Sequence, residues 1–288
     1  MYKIVQYTFY PFIVLTAVGL TVLAIHSVDR IYLTFIPGIL SIAFSLLFIF
    51  CEHSMPYRLV WKETQGDFLA DILQTFVTLP LAYRLTEVSI PVLILYFSTE
   101  YTRVFNSESF FAANDLLLNA AMVLIVCEFF YYWVHRLSHT IPTLWKLHSV
   151  HHGAPRVYWA NSGRFHFLDA LLGAFAYMLP IFILGVPMEV SIVVISILAI
   201  TGFMEHTNID FRTGILNYLF NTAEHHRWHH SEVLDESNKN FGKVLIVWDL
   251  IFGTYYLPNN KEVQEVGIKD EKVPVSFIGQ LKYPFQKN

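Results

Sequence analysis

Three short runs of this 288-residue chain are crowded with histidine. His135-Arg136-Leu137-Ser138-His139 reads H-x-x-x-H. His148-Ser149-Val150-His151-His152 reads H-x-x-H-H. His226-Arg227-Trp228-His229-His230 repeats that second pattern, directly after Glu224-His225. Residues three and four apart share one face of a helix, so each run aims two or three imidazoles at one point. Neutral imidazole is the commonest metal-ligating side chain. Eight imidazoles from the three runs are enough for two metal ions, and His206, in Glu205-His206-Thr207-Asn208, makes a ninth. Polar groups left uncompensated beside apolar segments are costly, which favours metal binding over chance for the three runs. His26 and His53 stand alone and read as ordinary satisfied polar residues, whereas His166 and His225 read either way.

Imidazole suits zinc, copper, iron and nickel alike. A closed four-ligand structural zinc site is a poor match, because there are too many ligands and no cysteine pair. H-E-x-x-H is absent, so a zinc protease lacks its signature. E-x-x-H is also absent, which disfavours a carboxylate-bridged di-iron bundle. What fits is a histidine-rich two-metal site. Beside a bilayer it would reach the chains or rings of a lipid. Removing hydrogen from an unactivated C–H bond needs a strong oxidant, which oxygen bound to iron supplies and zinc does not.

The rest of the chain supplies the frame. Hydrophobic residues make up 55% and charged residues 15%, and the mean hydropathy is +0.45; soluble domains carry roughly 25% charged residues. This composition excludes intrinsic disorder. The net charge of −4, with no dense basic stripe, speaks against nucleic acid as a partner. Cys51 and Cys127 lie in apolar segments and read as small core residues rather than a disulfide framework.

A bilayer core takes ~20 apolar helical residues to cross. Segments at about 8–25, 32–51, 68–97, 111–134, 167–184 and 188–205 are candidates. The first lacks a small-x-small cleavage site and reads as a retained helix. The third carries Pro80, Arg84, Glu87 and Pro91; it fits either one kinked span or two half-helices that enter and leave on one face. Gly185-Val186-Pro187 turns the last two into a hairpin. The residues after 134 and after 205 therefore share a face, and the histidines lie there. Arg30 and Arg103 fall on the other face and Arg84 is ambiguous, while Lys3, Arg58, Lys62 and the remaining basic residues accompany the histidines. The positive-inside rule makes that face cytoplasmic. The expected fold is all-α: a polytopic membrane helical bundle with a cytoplasmic helical cap holding a His-rich di-metal site. The expected units are N-terminal transmembrane helices at 1–110, a metal-binding domain with three further membrane helices at 111–258, and a polar tail at 259–288 that reads as an ordinary surface segment.

The stretch from about Glu128 to Tyr255 resembles the membrane-bound fatty acid hydroxylase/sterol desaturase superfamily. The histidine runs carry the resemblance, together with Asn161-Ser162-Gly163-Arg164-Phe165-His166, Glu205-His206-Thr207-Asn208, Asn240-Phe241-Gly242, Trp248-Asp249 and Phe252-Gly253-Thr254-Tyr255. Glu52, Pro56-Tyr57-Arg58, Gly66-Asp67 and Asp71 are similar to the bacterial branch usually labelled sterol desaturase. The resemblance implies a non-haem oxygenase with two iron ions. Such an enzyme uses O2 and electrons from a separate cytochrome b5-, ferredoxin- or rubredoxin-like donor to hydroxylate or desaturate a lipid, fatty acyl or sterol-like. It implies His135, His139, His148, His151, His152, His226, His229 and His230 as ligands, with His206 as an additional one. The expected membrane is a bacterial inner membrane or the endoplasmic reticulum. The rival readings are a zinc-dependent lipid hydrolase and a non-catalytic metal-binding membrane scaffold.

Metal-bound histidines usually donate their second ring nitrogen to a carboxylate, carbonyl or water. Glu128, seven residues before His135, and Glu205, Glu224 and Asp249 are candidates for that supporting role. His166 is placed there too, or as a weak ligand. His225 either competes with His226 as the ligand or faces outward. Arg136 and Arg227 are expected to pair with those acids or with lipid phosphates, and Phe129-Phe130-Tyr131-Tyr132-Trp133 to form an interfacial belt and packing surface.

Overall fold

The computed structural model describes residues 2–97, 111 and 115–286, the side chains of 94–97 excepted. The expected domain boundary at 110/111, most of the first turn of the 111–134 segment, and Arg103 lie outside the described residues. Among the described residues the structure is helical with no strand; only isolated bridges, such as Pro56 with Ile209, join extended segments.

Helix α1 (Tyr2–Ser27) is mostly apolar, with Lys3 and Gln6 near its start and His26 near its end. A short 3-10 turn at Arg30–Phe35 leads into α2 (Ile36–Ser54), whose first turn holds Pro37, where a missing N–H costs nothing. The segment at 68–97 is one continuous helical run and not two half-helices. It comprises α3 (Phe68–Leu73), a π-helical turn at Gln74–Thr78, and α4 (Leu79–Phe97). The wide turn sits just before Pro80, which has no N–H to complete an α-helical ladder. Arg84 and Glu87 pair with each other on an exposed face at 2.7 Å. Helix α5 (Leu116–Thr140) is capped by Asp115, which accepts the Leu117 N–H, and ends where Ile141 precedes Pro142. Pro142 then opens α6 (Pro142–His152). The hairpin is present: α7 (Phe167–Ile183) and α8 (Met188–His206) are joined through Gly185, whose φ of 58° suits glycine.

Among the described residues five helical runs are long and apolar enough to cross a membrane: Tyr2–Ser27, Arg30–Ser54, Phe68–Leu93, Leu116–Thr140 and Met188–His206. The sixth expected span, α7, has 17 residues. At 1.5 Å per residue it reaches about 26 Å, a little short of the hydrocarbon core. Helix α8 is the axis of the bundle. It packs against α1, α2 and α5, and 61% of its apolar window is buried, against at most 39% in the other four. Its apolar residues are buried all round because it has neighbours all round.

The cap consists of α6, a 3-10 turn at Trp159–Gly163, α9 (Ala223–His229), α10 (Leu234–Ser237), α11 (Val247–Phe252), α12 (Phe277–Lys282) and the loops between them. A small apolar cluster of Trp61, Val157, Trp228, Val263 and Val266 knits it together. The residues beyond 259 fold back onto this cap: Val273 lies against Gly153, and Gln280 is fully buried beside Gln74.

Candidate metal centre

The C-terminal ends of α5 and α8 reach the cap side by side, and α6 and α9 close over them. This places the histidines in two adjoining groups. One group is His135, His139, His148, His152 and His229; the other is His151, His206, His226 and His230. Within each group one ring nitrogen per residue lies within 4.8 Å of all the others. The i, i+3, i+4 pattern does what the sequence implied, with one refinement. The H-x-x-H-H runs straddle the two groups, so that His151 faces one and its neighbours His148 and His152 face the other. All nine are buried except His139, which is half-buried.

The fit to metal rests on the ring nitrogens. His135 Nδ1 donates to the Phe241 carbonyl at 2.7 Å, His148 Nδ1 to Asp169 at 2.9 Å, His139 Nδ1 to Asn238 Oδ1 at 3.2 Å, His229 Nδ1 to the Lys239 carbonyl at 2.8 Å, and His206 Nδ1 to Asn161 Oδ1 at 2.8 Å. Each bond fixes the tautomer and leaves an Nε2 lone pair facing inward. Those inward nitrogens crowd one another. The gap is 3.1 Å between His135 and His148, 2.7 Å between His206 and His226, and 3.0 Å between His226 and His230. Two nitrogens each about 2.1 Å from one ion at a right angle are about 3.0 Å apart. His139, His152 and His229 keep a buried Nε2 with no protein partner, and His151, His226 and His230 a buried Nδ1. Burial, reinforced by the neighbouring imidazoles, holds His151, His152, His226 and His230 well below their ordinary pKa, and burial pushes His229 down to about 3. These five imidazoles are therefore neutral, as ligation requires.

Comparison with known proteins places this arrangement. The fatty acid hydroxylase profile matches residues 120–254. Over 241 residues the chain is 34% identical to the ornithine lipid hydroxylase OlsE of Rhizobium tropici, which covers 82% of this chain and 71% of that protein. The chain belongs to the fatty acid hydroxylase family. Two further likenesses are more local. Human alkylglycerol monooxygenase is 32% identical over 136 residues, which are 47% of this chain and 30% of that protein. Methylsterol monooxygenase 1-2 of Arabidopsis thaliana is 27% identical over 170 residues, 55% of this chain and 54% of that protein. No solved structure matches the chain.

In this member of the fatty acid hydroxylase family, the remaining expected residues divide sharply. His166 stands apart from both groups. It caps α7 by accepting the Leu168 N–H on Nδ1 and donates from Nε2 to the Leu281 carbonyl, so both nitrogens are used. His225 also stands outside, its ring against Tyr255 at 5.3 Å; it does not displace His226. Glu128 touches no histidine. One of its oxygens accepts the N–H groups of Lys243, Val244 and Leu245, and the other accepts the Tyr177 hydroxyl. Glu224 ties Thr213 to Asn217, away from both groups. Asp249 acts one step removed. It accepts the N–H groups of Phe241 and Gly242 at 2.8 Å, fixing the peptide whose carbonyl holds His135. Glu205 is buried with one oxygen unpartnered.

Arg136 donates to the Tyr132 hydroxyl, and Arg227 donates to the carbonyls of Thr207 and Ile209 while stacking on Tyr57 at 3.8 Å; neither pairs with an acid among the described residues. Of the aromatic run, Phe130 is exposed and Phe129 packs on Trp248, whereas Tyr131 turns inward toward the site. Sequence reading missed Asp169, Asn161 and Asn238. Asp169 carried a signal, since a lone carboxylate near the start of an apolar segment demands a partner.

Two cavities flank the histidines. A narrow, partly open slot with about 30 Å³ of free volume runs between α4, α5 and α7, lined by Leu79, Val134, Ala170 and Ala174 and ending at His135 and His148. A small space of about 20 Å³, room for about one water, is bordered by His135, His151, His206 and His226. Tyr131, Phe165, His135 and Lys243 border both.

Proposed function

We propose that the protein is a membrane-bound, O2-dependent lipid hydroxylase with two iron ions. His135, His139, His148, His152 and His229 would hold one ion, and His151, His206, His226 and His230 the other. The observation that carries this reading is the two sets of converging, inward-facing imidazole nitrogens. Iron there supplies the oxidising power that an unactivated C–H bond demands.

The chain's own residues do the rest. Asp169, Asn161, Asn238 and the carbonyls of Phe241 and Lys239 orient the imidazoles by taking their second N–H. The slot accepts apolar chain between α4, α5 and α7 and leads it to His135 and His148. Burial excludes water from the histidines. Hydroxylation, rather than desaturation, follows the relatives, which are named as a hydroxylase and monooxygenases. A separate small electron carrier of the cytochrome b5, ferredoxin or rubredoxin kind serves as reductant, and the cap faces the cytoplasm with it. Residues 111–258 form the catalytic unit.

The test is metal content and turnover of detergent-purified protein from iron-supplemented cells. Wild type should hold one iron for each of the two groups and add oxygen to lipid only when O2 and a reductant are present. His151→Ala should stay in the membrane, hold less iron and turn over nothing. Full activity in that variant, or no iron under any loading, would overturn the reading.

A further inference from the structure

The segment 241–253 belongs to the cap by its place in the chain, yet its contacts lie along α5. Trp248 Nε1 donates to the Ile125 carbonyl at 3.2 Å, and the Trp248 ring packs on Phe129 at 4.9 Å. Glu128 accepts the N–H groups of Lys243, Val244 and Leu245 at 3.0, 2.9 and 3.0 Å. Charge marks the end of the bundle away from the histidines: Asp115 caps α5, and Arg30 pairs with Glu189 at the start of α8. Ile125 and Glu128 lie ten and thirteen residues beyond Asp115. At 1.5 Å per residue they are about 15 and 20 Å along the helix. A hydrocarbon core about 30 Å thick encloses both.

An irregular backbone survives at that depth only where its polar groups find partners within the protein. Six N–H groups in succession are taken here. Asp249 accepts those of Phe241 and Gly242, Glu128 those of Lys243, Val244 and Leu245, and the Leu219 carbonyl that of Ile246. A loop on an aqueous surface has water for such groups and does not need two buried carboxylates in its place. The outer surface of the segment agrees. Its exposed side chains are Leu250 and Ile251, the latter by 60%. Asp249 is buried, and Lys243 lies over Gly202 toward the Tyr131 ring. Ile125, Val126 and Phe130, exposed on the adjoining face of α5, continue the apolar patch.

We propose that the segment 241–253 re-enters the membrane beside α5 with Leu250 and Ile251 facing lipid chains, and that Glu128 holds it there by standing in for water at its N–H groups. The bilayer is the occupant of the exposed face because that face is continuous with a helix long and apolar enough to span it. The proposal goes beyond the oxygenase reading and does not depend on it. It bears on the site all the same. The Phe241 carbonyl of this segment tethers His135, so lipid seats part of the frame around the first histidine group.

The test is nitroxide accessibility in the full-length protein, reconstituted in dioleoylphosphatidylcholine vesicles. Labels go on Ile251→Cys, on Ile125→Cys as the reference within the span, and on Lys261→Cys as the exposed reference on the cap. The native Cys51 and Cys127 are buried, and unmodified protein controls for their labelling. Apolar O2 and water-soluble chromium oxalate are the two collision reagents. The Ile251 label should match the Ile125 label, with frequent O2 collisions and chromium collisions severalfold below those at Lys261. Chromium access equal to that at Lys261 overturns the proposal. So does shielding from both reagents, which would put a protein partner on the face. Glu128→Leu leaves three N–H groups unpartnered, so the Ile251 label should gain chromium access; a label still shielded in folded Glu128→Leu protein overturns the role given to Glu128. Glu128→Gln keeps an accepting oxygen and should keep the label shielded. Where the leucine variant does not fold, the Ile251 label with Glu128 intact decides the insertion by itself.

Discussion

The clustered imidazoles each have one nitrogen tethered by the protein or turned toward their neighbours, and burial keeps protons off His151, His152, His226, His229 and His230. That has a thermodynamic sign. In the unfolded chain these histidines take up protons below their ordinary pKa of 6.5, whereas folded His229 holds out to about 3. The unfolded state therefore gains protons first as the pH falls, and folding weakens. Metal-free protein should show a thermal midpoint that is flat above about pH 7 and declines steadily toward about pH 5. A midpoint that rises on acidification would mean the rings are charged in the fold. At this scale the sequence was generous with the imidazoles and silent about what steers them. The histidines announce themselves by spacing along single helices. Their partners Asp169, Asn161 and Asn238 come from 21, 45 and 99 residues away. Two more partners, at Phe241 and Lys239, are backbone carbonyls, which every residue possesses and no composition reveals.

At the scale of elements, the apolar segments were readable because a bilayer imposes length and hydropathy. The doubt over 68–97 was resolved by something that sequence does not display, the π-helical turn at Gln74–Thr78. That turn widens the helix where the Trp159–Gly163 turn presses on it, and Thr75 Oγ1 donates to the Ala160 carbonyl at 2.8 Å. The two backbones touch at Gly163, where an added Cβ would sit 2.6 Å from Thr75 Cα. Gly163→Ala should therefore cost about 1–3 kcal/mol. It should also loosen Asn161, which holds His206, so iron in the second histidine group should be lost before iron in the first. Thermal unfolding and metal titration would check both, and an unperturbed midpoint would show that the contact gives way freely.

The whole molecule is a bundle around α8 with its chemistry at one end. Sequence indicated that end through the hairpin at Gly185, which returns α7 and α8 to the face where α5 finishes. It did not indicate how the segment beyond 259 folds back, because contacts such as Val273 on Gly153 and Leu281 on His166 are set by tertiary packing between residues of unremarkable type. Orientation is the remaining question at this scale. The basic residues of the short 52–67 loop and Lys3 predict that a cysteine introduced after residue 258 reacts with a thiol reagent only once the cytoplasmic side is opened. Labelling from the outer side would invert the assignment.

The two histidine groups are unequal in one respect. The first contains the half-buried His139, with Trp145 beside it at 5.2 Å, whereas every member of the second is sealed. That difference orders events in time. On the two-iron proposal, an ion arriving from solution would meet the first group at the surface and the second only through a breathing of the cap. Loading would then be sequential, and so would its reversal: a chelator would strip the outer ion quickly and the inner one at the pace of local opening. The half-stripped protein would carry a single ion in a known place, and its lifetime would measure how often the cap opens.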